Sequence, residues 1–392
     1  ARLAAVAGGC MTIIVVGITL ARLLNPLAGA FGALVMASFA LHNGISHYAT
    51  LDAFFTGWMT LALCAFLRAQ HAAQPMHAPN RDPDPNPDPN ANATRNWMLL
   101  TYAALAAATM TKGPVALVIA GGSLVLYSLA NRDMSPWKRL HLLPGLTLYF
   151  VLTAPWFILV SRANPEFAQF FFIHEHVARF LTNEARRPGA WYYFVPIFGF
   201  GVTPWLFVWA ATFVRSWRDS APQADGFDWM RFCMAWAIFV FVFFSLSGSK
   251  LPSYILPEYP AIALILGREL ERATPRMLAL LAIPQLVLAA GFLLFLMFGY
   301  YIVIANLASE NSPISMFIAY RPWLLGAASV FVAGALGAWW AFRNGSARAK
   351  TLGIVVTAAC GLIGFQIAFI GHEAFRPTRS SYDLVRETQN RP

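Results

Sequence analysis

The 392-residue chain is 58% hydrophobic and only 12% charged, and its mean hydropathy is +0.55. Soluble domains carry about 25% charged residues, so this composition excludes an ordinary soluble protein and indicates a polytopic membrane protein. The formal net charge of +10 does not require a nucleic-acid partner, because basic residues orient membrane proteins by accumulating in cytoplasmic loops.

Apolar runs follow one another along nearly the whole chain. A membrane-spanning helix needs roughly 20 apolar residues, and the sequence offers about a dozen candidates. They lie near 3–24, 28–46, 52–68, 96–111, 113–130, 142–161, 192–214, 232–248, 252–268, 277–305, 322–342 and 351–371. The runs are continuous, as in helices, rather than alternating as in barrel strands. We therefore predict an all-α polytopic membrane helical bundle, with a transmembrane domain over 1–371 and the start of an outward polar tail over 372–392.

Basic residues crowd every second gap between the predicted spans. These gaps contain Arg22, Arg68, Arg81, Arg95, Arg132, Lys138, Arg139, Arg215, Arg218, Arg231, Arg268, Arg272, Arg276, Arg343, Arg348 and Lys350. The positive-inside rule places them on the cytoplasmic side. The intervening gaps, which contain Asp52, Lys112, residues 162–190 and Lys250, then share the outer face of the membrane.

Two gaps are longer than a turn. In the cytoplasmic gap 69–95, alternating prolines disfavour helix and favour a solvated extended chain, so we predict a disordered loop. In the outward gap 162–190, Pro165 favours a helix start after Asn164. Phenylalanines at near-helical spacing then predict an amphipathic helix lying in the membrane interface; they are Phe167, Phe170, Phe171 and Phe180.

Asp52, Lys112 and Lys250 are charged side chains at the ends of apolar runs. Charges at the membrane are costly, and several of both signs on one face predict a reaction centre at the lipid–water boundary. Each residue also has a purely structural interpretation. Asp52 could complement the dipole of the helix that it begins, and the lysines could extend from their turns to the lipid surface.

The outward gap also contains His174, Glu175, His176 and Arg179. Histidines two positions apart lie on different faces of a helix, so an interfacial role for Glu175 and His176 is favoured over a divalent metal site. Arg179 is a candidate cation of the reaction centre and equally a candidate anchor to lipid headgroups.

Four segments carry a resemblance to a known family. They read His-Tyr-Ala-Thr-Leu-Asp at 47–52, Thr-Lys-Gly-Pro at 111–114, Glu-His-Val-Ala-Arg-Phe at 175–180 followed by Trp-Tyr-Tyr at 191–193 and Thr-Pro-Trp at 203–205, and Phe-Ser-Leu-Ser-Gly-Ser-Lys-Leu-Pro-Ser-Tyr-Ile-Leu-Pro at 244–257. In this order and spacing, the chain resembles the GT-C glycosyltransferases that use lipid-linked sugars. Among them it is most similar to the aminoarabinose transferases that modify lipid A, which are relatives of the protein O-mannosyltransferases. The last segment is the most specific, and the resemblance extends from residue 1 to about residue 385.

The resemblance implies an enzyme of the bacterial inner membrane whose active site faces the periplasm. It would transfer a sugar from a polyprenyl phosphate to lipid A or a related glycolipid, with no nucleotide and no firmly implied cofactor. Asp52 and Lys112 are then the catalytic candidates, and the donor phosphate would contact Lys112, Arg179, Lys250 and Tyr254. Fixed cations stabilise the charge that develops on the phosphate as the glycosidic bond breaks. We expect these residues to line one cavity.

The resemblance is incomplete at the N-terminus. Members of the family carry an acidic residue, often Asp-Glu, in their first outward loop, and nothing in this sequence matches it. We therefore expect the first span, this loop and its catalytic carboxylate to precede Ala1 in the natural protein.

Other functions fit parts of the pattern. Protein O-mannosyl transfer is the alternative within the same class of enzyme. A lipid flippase or transporter is the alternative of another class, but transporters bind near the bilayer midplane between repeated halves. Here the charges lie at span ends, and the sequence shows no paired halves. A membrane scaffold would leave the lysines at outward turns unexplained.

Overall fold

The computed structural model describes residues 2–48, 50–73, 89–171, 173, 189–219, 226–309 and 312–376. Throughout these ranges the backbone is helical or forms short connections, and the one strand-like feature is an isolated bridge between Ser309 and Ser312. The predicted all-α fold is therefore confirmed.

The chain divides into two compact units. The first comprises Ala1–Ala37 and Ile45–Arg272, and the second comprises Ser38–Gly44 and the chain from Ala273 onward. Up to Arg272 the described helices are α1 (Arg2–Leu23), α2 (Pro26–Ser38), α3 (Ala40–His47), α4 (Leu51–Ala72), α5 (Pro89–Lys112), α6 (Val115–Asn131), α7 (Ser135–Lys138), α8 (Leu142–Ala163), α9 (Phe194–Gly201), α10 (Leu206–Asp219), α11 (Trp229–Leu246), a 3₁₀ helix (Pro252–Glu258) and α12 (Tyr259–Arg272). From Pro275 they are α13 (Pro275–Leu294), a π turn (Phe295–Gly299), α14 (Tyr300–Leu307), α15 (Ile314–Arg343), α16 (Ala347–Gly371) and a 3₁₀ turn (His372–Phe375).

Seven described helices are long and apolar enough to cross a membrane. They are Leu3–Leu23, Leu51–Ala72, Leu142–Ala163, Trp229–Leu246, Pro275–Leu307, Ile314–Arg343 and Ala347–Phe375. Two bent pairs, Pro26–Ser38 with Ala40–His47 and Phe194–Gly201 with Leu206–Phe213, bring the number to nine if each pair is one span. The protein is therefore a multi-pass membrane protein, as predicted.

The expected number of about a dozen spans is higher than the number of helices that meet these criteria. The helix α6 is apolar but only 17 residues long, and the candidate 252–268 is divided between a 3₁₀ helix and α12. The bend of 109° between α9 and α10 contains Pro204, which has no N–H with which to continue a helix. Hydropathy alone does not register such breaks.

The helices on either side of the predicted 69–95 loop extend into it. The helix α4 continues to Ala72 and α5 begins at Pro89, so the loop is shorter at both ends than predicted. Proline is tolerated in the first turn of a helix, where its missing N–H would have no intrahelical partner. Residues 74–88 lie outside the described part of the chain.

Glycines allow the helices of the first unit to approach closely. A Cβ atom on Gly8 of α1 would lie 2.4 Å from the Cα atom of Phe54 in α4. A Cβ atom on Gly145 of α8 would lie 2.0 Å from the ring of Tyr102 in α5. Small residues are the usual means by which helix backbones come together in membrane proteins. They place α1 against α4 and α8 against α5.

A hydrogen-bonded network joins the end of α6 to the start of α11. The hydroxyl of Tyr127 donates to Asp133 Oδ2 at 2.9 Å and accepts from the backbone N–H of Asp228 at 3.1 Å. The guanidinium of Arg231 donates to Asn131 Oδ1 at 2.8 Å and pairs with Asp228. These contacts fix the end of α6 against the start of α11, and the two helices pack against each other.

In the second unit, Arg321 donates hydrogen bonds to the carbonyls of an irregular stretch of backbone. The π turn after α13 frees carbonyl groups from regular pairing, and the Arg321 guanidinium donates to Leu296 O at 3.0 Å and to Met297 O at 2.9 Å. Its third contact is the hydroxyl of Tyr301 at 3.2 Å. Since unpaired backbone groups are costly within a membrane, this arginine stabilises the turn.

Neighbouring glycines of α6 offer a direct test of the packing. A Cβ atom on Gly122 would lie 2.0 Å from the ring of Phe239 in α11, whereas nothing lies within 4 Å of the same position on Gly121. We expect Gly122→Ala to destabilise the protein by about 1–3 kcal/mol through overpacking. Gly121→Ala should leave stability unchanged or raise it by up to about 1 kcal/mol, because alanine favours helix.

The measurement is thermal unfolding of the two purified variants beside the parent protein in the same detergent. Equal midpoints for the two alanine variants would contradict the close contact between α6 and α11.

Candidate active site

Asp52 and Lys112 meet at one end of the α4–α5 pair. Asp52 lies in the first turn of α4 and Lys112 in the last turn of α5. The two helices pack against each other, and Lys112 Nζ donates a hydrogen bond to Asp52 Oδ1 to form an ion pair. The Lys112 side chain is 24% exposed and the Asp52 side chain is 13% exposed, so the pair is largely buried.

Both charges lie where the helix backbone favours them. A carboxylate at a helix N-terminus and an ammonium at a helix C-terminus each gain about 0.3–1 kcal/mol from the helix dipole. Removing one partner of a buried pair costs about 3–5 kcal/mol, because the remaining charge is left uncompensated. The pair therefore fixes the start of α4 against the end of α5.

Two aromatic rings enclose the Lys112 ammonium. Its nitrogen lies 4.7 Å from the ring centroid of Tyr254 and 5.4 Å from that of Phe55. Tyr254 belongs to the 3₁₀ helix Pro252–Glu258, which packs against α4. Cation–π contacts of this kind are stronger where water is excluded. Three separate elements thus bring a carboxylate, an ammonium and a phenol to one place.

Lys250 lies in the turn between α11 and the 3₁₀ helix that carries Tyr254. Its ammonium donates to Ser245 O at 2.7 Å and to Ser247 O at 2.9 Å, which are carbonyls at the end of α11. The residue is only 6% exposed, and burial lowers the pKa of the Lys250 ammonium. The last carbonyls of a helix have no intrahelical partner, so two of the three N–H bonds of Lys250 are used in capping α11.

Glu258 is a buried carboxyl at the end of the same 3₁₀ helix. It is 1% exposed, and neither of its oxygens has a hydrogen-bond partner in the described part of the protein. The sequence offers no role for it, since it follows the Lys-Leu-Pro segment without belonging to a recognised motif.

Several predicted site residues lie outside the described residues. They are Arg179, Glu175, His176 and His174, together with most of the predicted interfacial helix. The described start of that segment follows α8 directly, and the rings of Phe167 and Phe171 stack there with centroids 5.1 Å apart. Within the described residues, no group of three or more side chains is arranged to hold a metal ion.

An apolar groove of about 590 Å³ lies beside the end of α5, the start of α6 and the middle and end of α8. Its lining includes Thr109 and Pro114, which flank Lys112 in the sequence, and Arg162 at the end of α8. The other lining residues are Leu117, Tyr149, Phe150, Thr153, Ala154, Phe157, Ile158 and Ser161. The candidate site therefore adjoins a surface suited to hydrocarbon chains.

The sequence identified Asp52, Lys112 and Tyr254 as candidates, and the structure brings these three together. The sequence did not identify Phe55, although Phe55 lies three positions after Asp52, a spacing that places both on one face of a helix. It also missed Phe194, whose ring lies 5.8 Å from Lys250 Nζ. The Lys250–Phe194 contact joins stretches distant in sequence and has no local signal.

Comparison with known proteins identifies the same family along the chain. Residues 1–218 match the family model described as dolichyl-phosphate-mannose-protein mannosyltransferase. Curated relatives include the undecaprenyl phosphate-alpha-4-amino-4-deoxy-L-arabinose arabinosyl transferase of Edwardsiella ictaluri (strain 93-146), 28% identical over 64% of this chain and 42% of the relative. Another is undecaprenyl phosphate-alpha-4-amino-4-deoxy-L-arabinose arabinosyl transferase 1 of Pseudomonas fluorescens (strain Pf0-1), 30% identical over 70% of this chain and 45% of the relative.

Solved structures agree with these matches. The crystal structure of ArnT from Cupriavidus metallidurans bound to undecaprenyl phosphate is 33% identical, with a TM-score of 0.85 over 100% of this chain and 66% of that one. The apo structure of the same protein gives a TM-score of 0.82. The chain thus spans less than half the length of these curated relatives and about two thirds of the solved structures. The expected GT-C fold is confirmed, and the chain belongs to the dolichyl-phosphate-mannose-protein mannosyltransferase family.

Proposed function

We propose that this protein transfers a sugar from a polyprenyl-phosphate donor to an acceptor at the periplasmic face of the bacterial inner membrane. The donor is undecaprenyl phosphate carrying 4-amino-4-deoxy-arabinose, and the acceptor is lipid A or a related glycolipid. The names of the arabinosyl transferase relatives support this donor, and the undecaprenyl phosphate in the similar ArnT structure supports the lipid carrier.

The observation that carries the proposal is the Lys112–Asp52 pair beneath Tyr254. A polyprenyl-phosphate sugar keeps its phosphate at the headgroup level, where this pair lies if the basic gaps face the cytoplasm. Its hydrocarbon chain requires an apolar surface, such as the groove beside Thr109 and Pro114. Both parts of the donor therefore have suitable surroundings near Lys112.

The reaction exchanges one glycosidic bond for another. The bond between the sugar C1 and the phosphate oxygen breaks, and the acceptor hydroxyl oxygen forms a new bond to C1. Negative charge grows on the leaving phosphate, where the Lys112 ammonium and the Tyr254 hydroxyl stabilise it in a poorly hydrated site. The Asp52 carboxylate orients the acceptor hydroxyl and assists removal of its proton. Arg179 is a further candidate contact to the phosphate.

Protein O-mannosyl transfer is the second candidate function, because the matching family model carries that description. It uses the same chemistry at the lipid phosphate, so the Lys112–Asp52 pair does not distinguish the two. The acceptor distinguishes them, since one is a glycolipid and the other a protein hydroxyl.

The function is tested with the natural full-length protein in proteoliposomes. We expect radiolabelled aminoarabinose to pass from undecaprenyl phosphate to lipid A and not to a serine-rich peptide. Transfer of mannose to the peptide, in a parallel assay supplied with polyprenyl-phosphate mannose, would instead establish the second candidate. Movement of the lipid-linked sugar between leaflets without any transfer would identify a flippase and contradict both.

The chemistry of the pair is tested with one single and one double substitution. Lys112→Met should reduce transfer about 30- to 1,000-fold, because it removes about 2–4 kcal/mol of stabilisation of the leaving phosphate. It should also lower the melting temperature, because the Asp52 carboxylate stays buried without its partner.

The double variant Asp52→Asn, Lys112→Met separates folding from catalysis. Neutralising both partners removes the uncompensated charge, so the melting temperature should return toward that of the parent protein while transfer stays low. Parental transfer rates in this double variant would exclude the pair from the reaction.

A further inference from the structure

Lys250 is held in place by contacts that leave its ammonium little freedom. It donates to Ser245 O and Ser247 O at the end of α11, and it is 6% exposed. An ammonium that caps a helix complements both the unpaired carbonyls and the negative end of the helix dipole. A phosphate would have to compete with these carbonyls or use the one remaining N–H.

The stem of Lys250 packs against the start of the α9 region. A Cβ atom on Gly189 would lie 2.8 Å from Lys250 Cδ and 3.3 Å from the ring of Tyr193. The ring of Phe194 lies 5.8 Å from Lys250 Nζ. One side chain therefore joins the stretch 189–194 to the end of α11, although about 60 residues separate them in the sequence.

The turn that Lys250 fixes leads directly to Tyr254. The hydroxyl of Ser247 donates to Ser249 O at 3.1 Å, and the N–H of Tyr254 donates to Leu251 O at 3.0 Å. Tyr254 then lies 4.7 Å from Lys112 Nζ. The placement of the Tyr254 ring over the Lys112–Asp52 pair thus depends on a turn whose first anchor is the Lys250 ammonium.

We propose that Lys250 is a positioning residue. Its ammonium caps the carbonyl end of α11, and its stem packs against the stretch 189–194. These two contacts, which we call the Lys250 clamp, hold Tyr254 and the end of the outward gap at one site. The residue acts through Tyr254 and not by binding the donor phosphate itself. This inference rests on the proposed function only in the experiment that measures sugar transfer.

Gly189 provides a variant that disturbs the clamp without removing the charge. Gly189→Ala places a methyl group against the Lys250 stem, whereas Gly199→Ala in α9 is its matched control, because nothing lies within 4 Å of that Cβ position. Lys250→Met removes the ammonium, and Lys250→Arg keeps a cation able to donate to the same carbonyls.

The test compares these four variants, made in the full-length protein, with the full-length parent in phospholipid nanodiscs. We expect Lys250→Met and Gly189→Ala to speed amide hydrogen exchange over 190–195 and 247–254 about tenfold, because the clamp no longer opposes local opening. Transfer should fall about tenfold to 100-fold in both variants, because a misplaced contact lowers the rate of a reaction that depends on orientation. Lys250→Arg should recover part of each loss, and Gly199→Ala should match the parent.

A measurement of undecaprenyl phosphate binding distinguishes the positioning role of Lys250 from direct contact between Lys250 and the phosphate. If Lys250 contacted the phosphate directly, Lys250→Met would weaken this binding more than about 30-fold. Amide hydrogen exchange in Lys250→Met would then match that of the parent protein, and Gly189→Ala would behave like the parent protein. That result would overturn the proposal, as would parental exchange and transfer in Lys250→Met. Exchange and binding need no sugar transfer, so a full-length parent protein that transfers no sugar would refute the proposed function and still leave the role of Lys250 decided.

Discussion

The ion pair between Lys112 and Asp52 is the interaction on which the candidate site depends. It joins the last turn of α5 to the first turn of α4, so the two helix ends cannot separate without exposing or isolating a charge. Burial makes isolation costly, and the helix dipoles favour each charge in its place. The same pair that joins α4 to α5 also supplies the cation and the carboxylate that the proposed reaction requires.

The aromatic rings of Phe55 and Tyr254 determine how strongly that pair acts. They cover the ammonium at 5.4 Å and 4.7 Å and reduce its contact with water. Electrostatic interactions grow as the local dielectric constant falls, so the covered cation stabilises developing charge more than a solvated one. Tyr254 is in turn placed by the Lys-Leu-Pro turn, which makes the end of α11 part of the site.

Irregular backbone in this protein is stabilised by long basic side chains. Lys250 donates to the carbonyls at the end of α11, and Arg321 donates to those of the π turn after α13. Within a bilayer, unpaired carbonyls have no water molecules with which to form hydrogen bonds. A basic residue at a break in a helix is therefore not always available to a ligand. Lys112 and Lys250 have different surroundings, although each lies where an apolar helix ends.

The sequence by itself determined the class of the protein, the positions of most helices and the candidacy of Asp52, Lys112, Lys250 and Tyr254. These follow from hydropathy, from charge at the ends of apolar runs and from short motifs, all of which are local properties of the chain. Only the tertiary structure decided that Lys112 pairs with Asp52, 60 positions away, that Phe55 covers the pair, and that the Lys250 ammonium faces carbonyls. It also decided which apolar runs are bent or divided. Such outcomes depend on which helices pack together and on where glycines allow close approach, and neither is a property of any single segment.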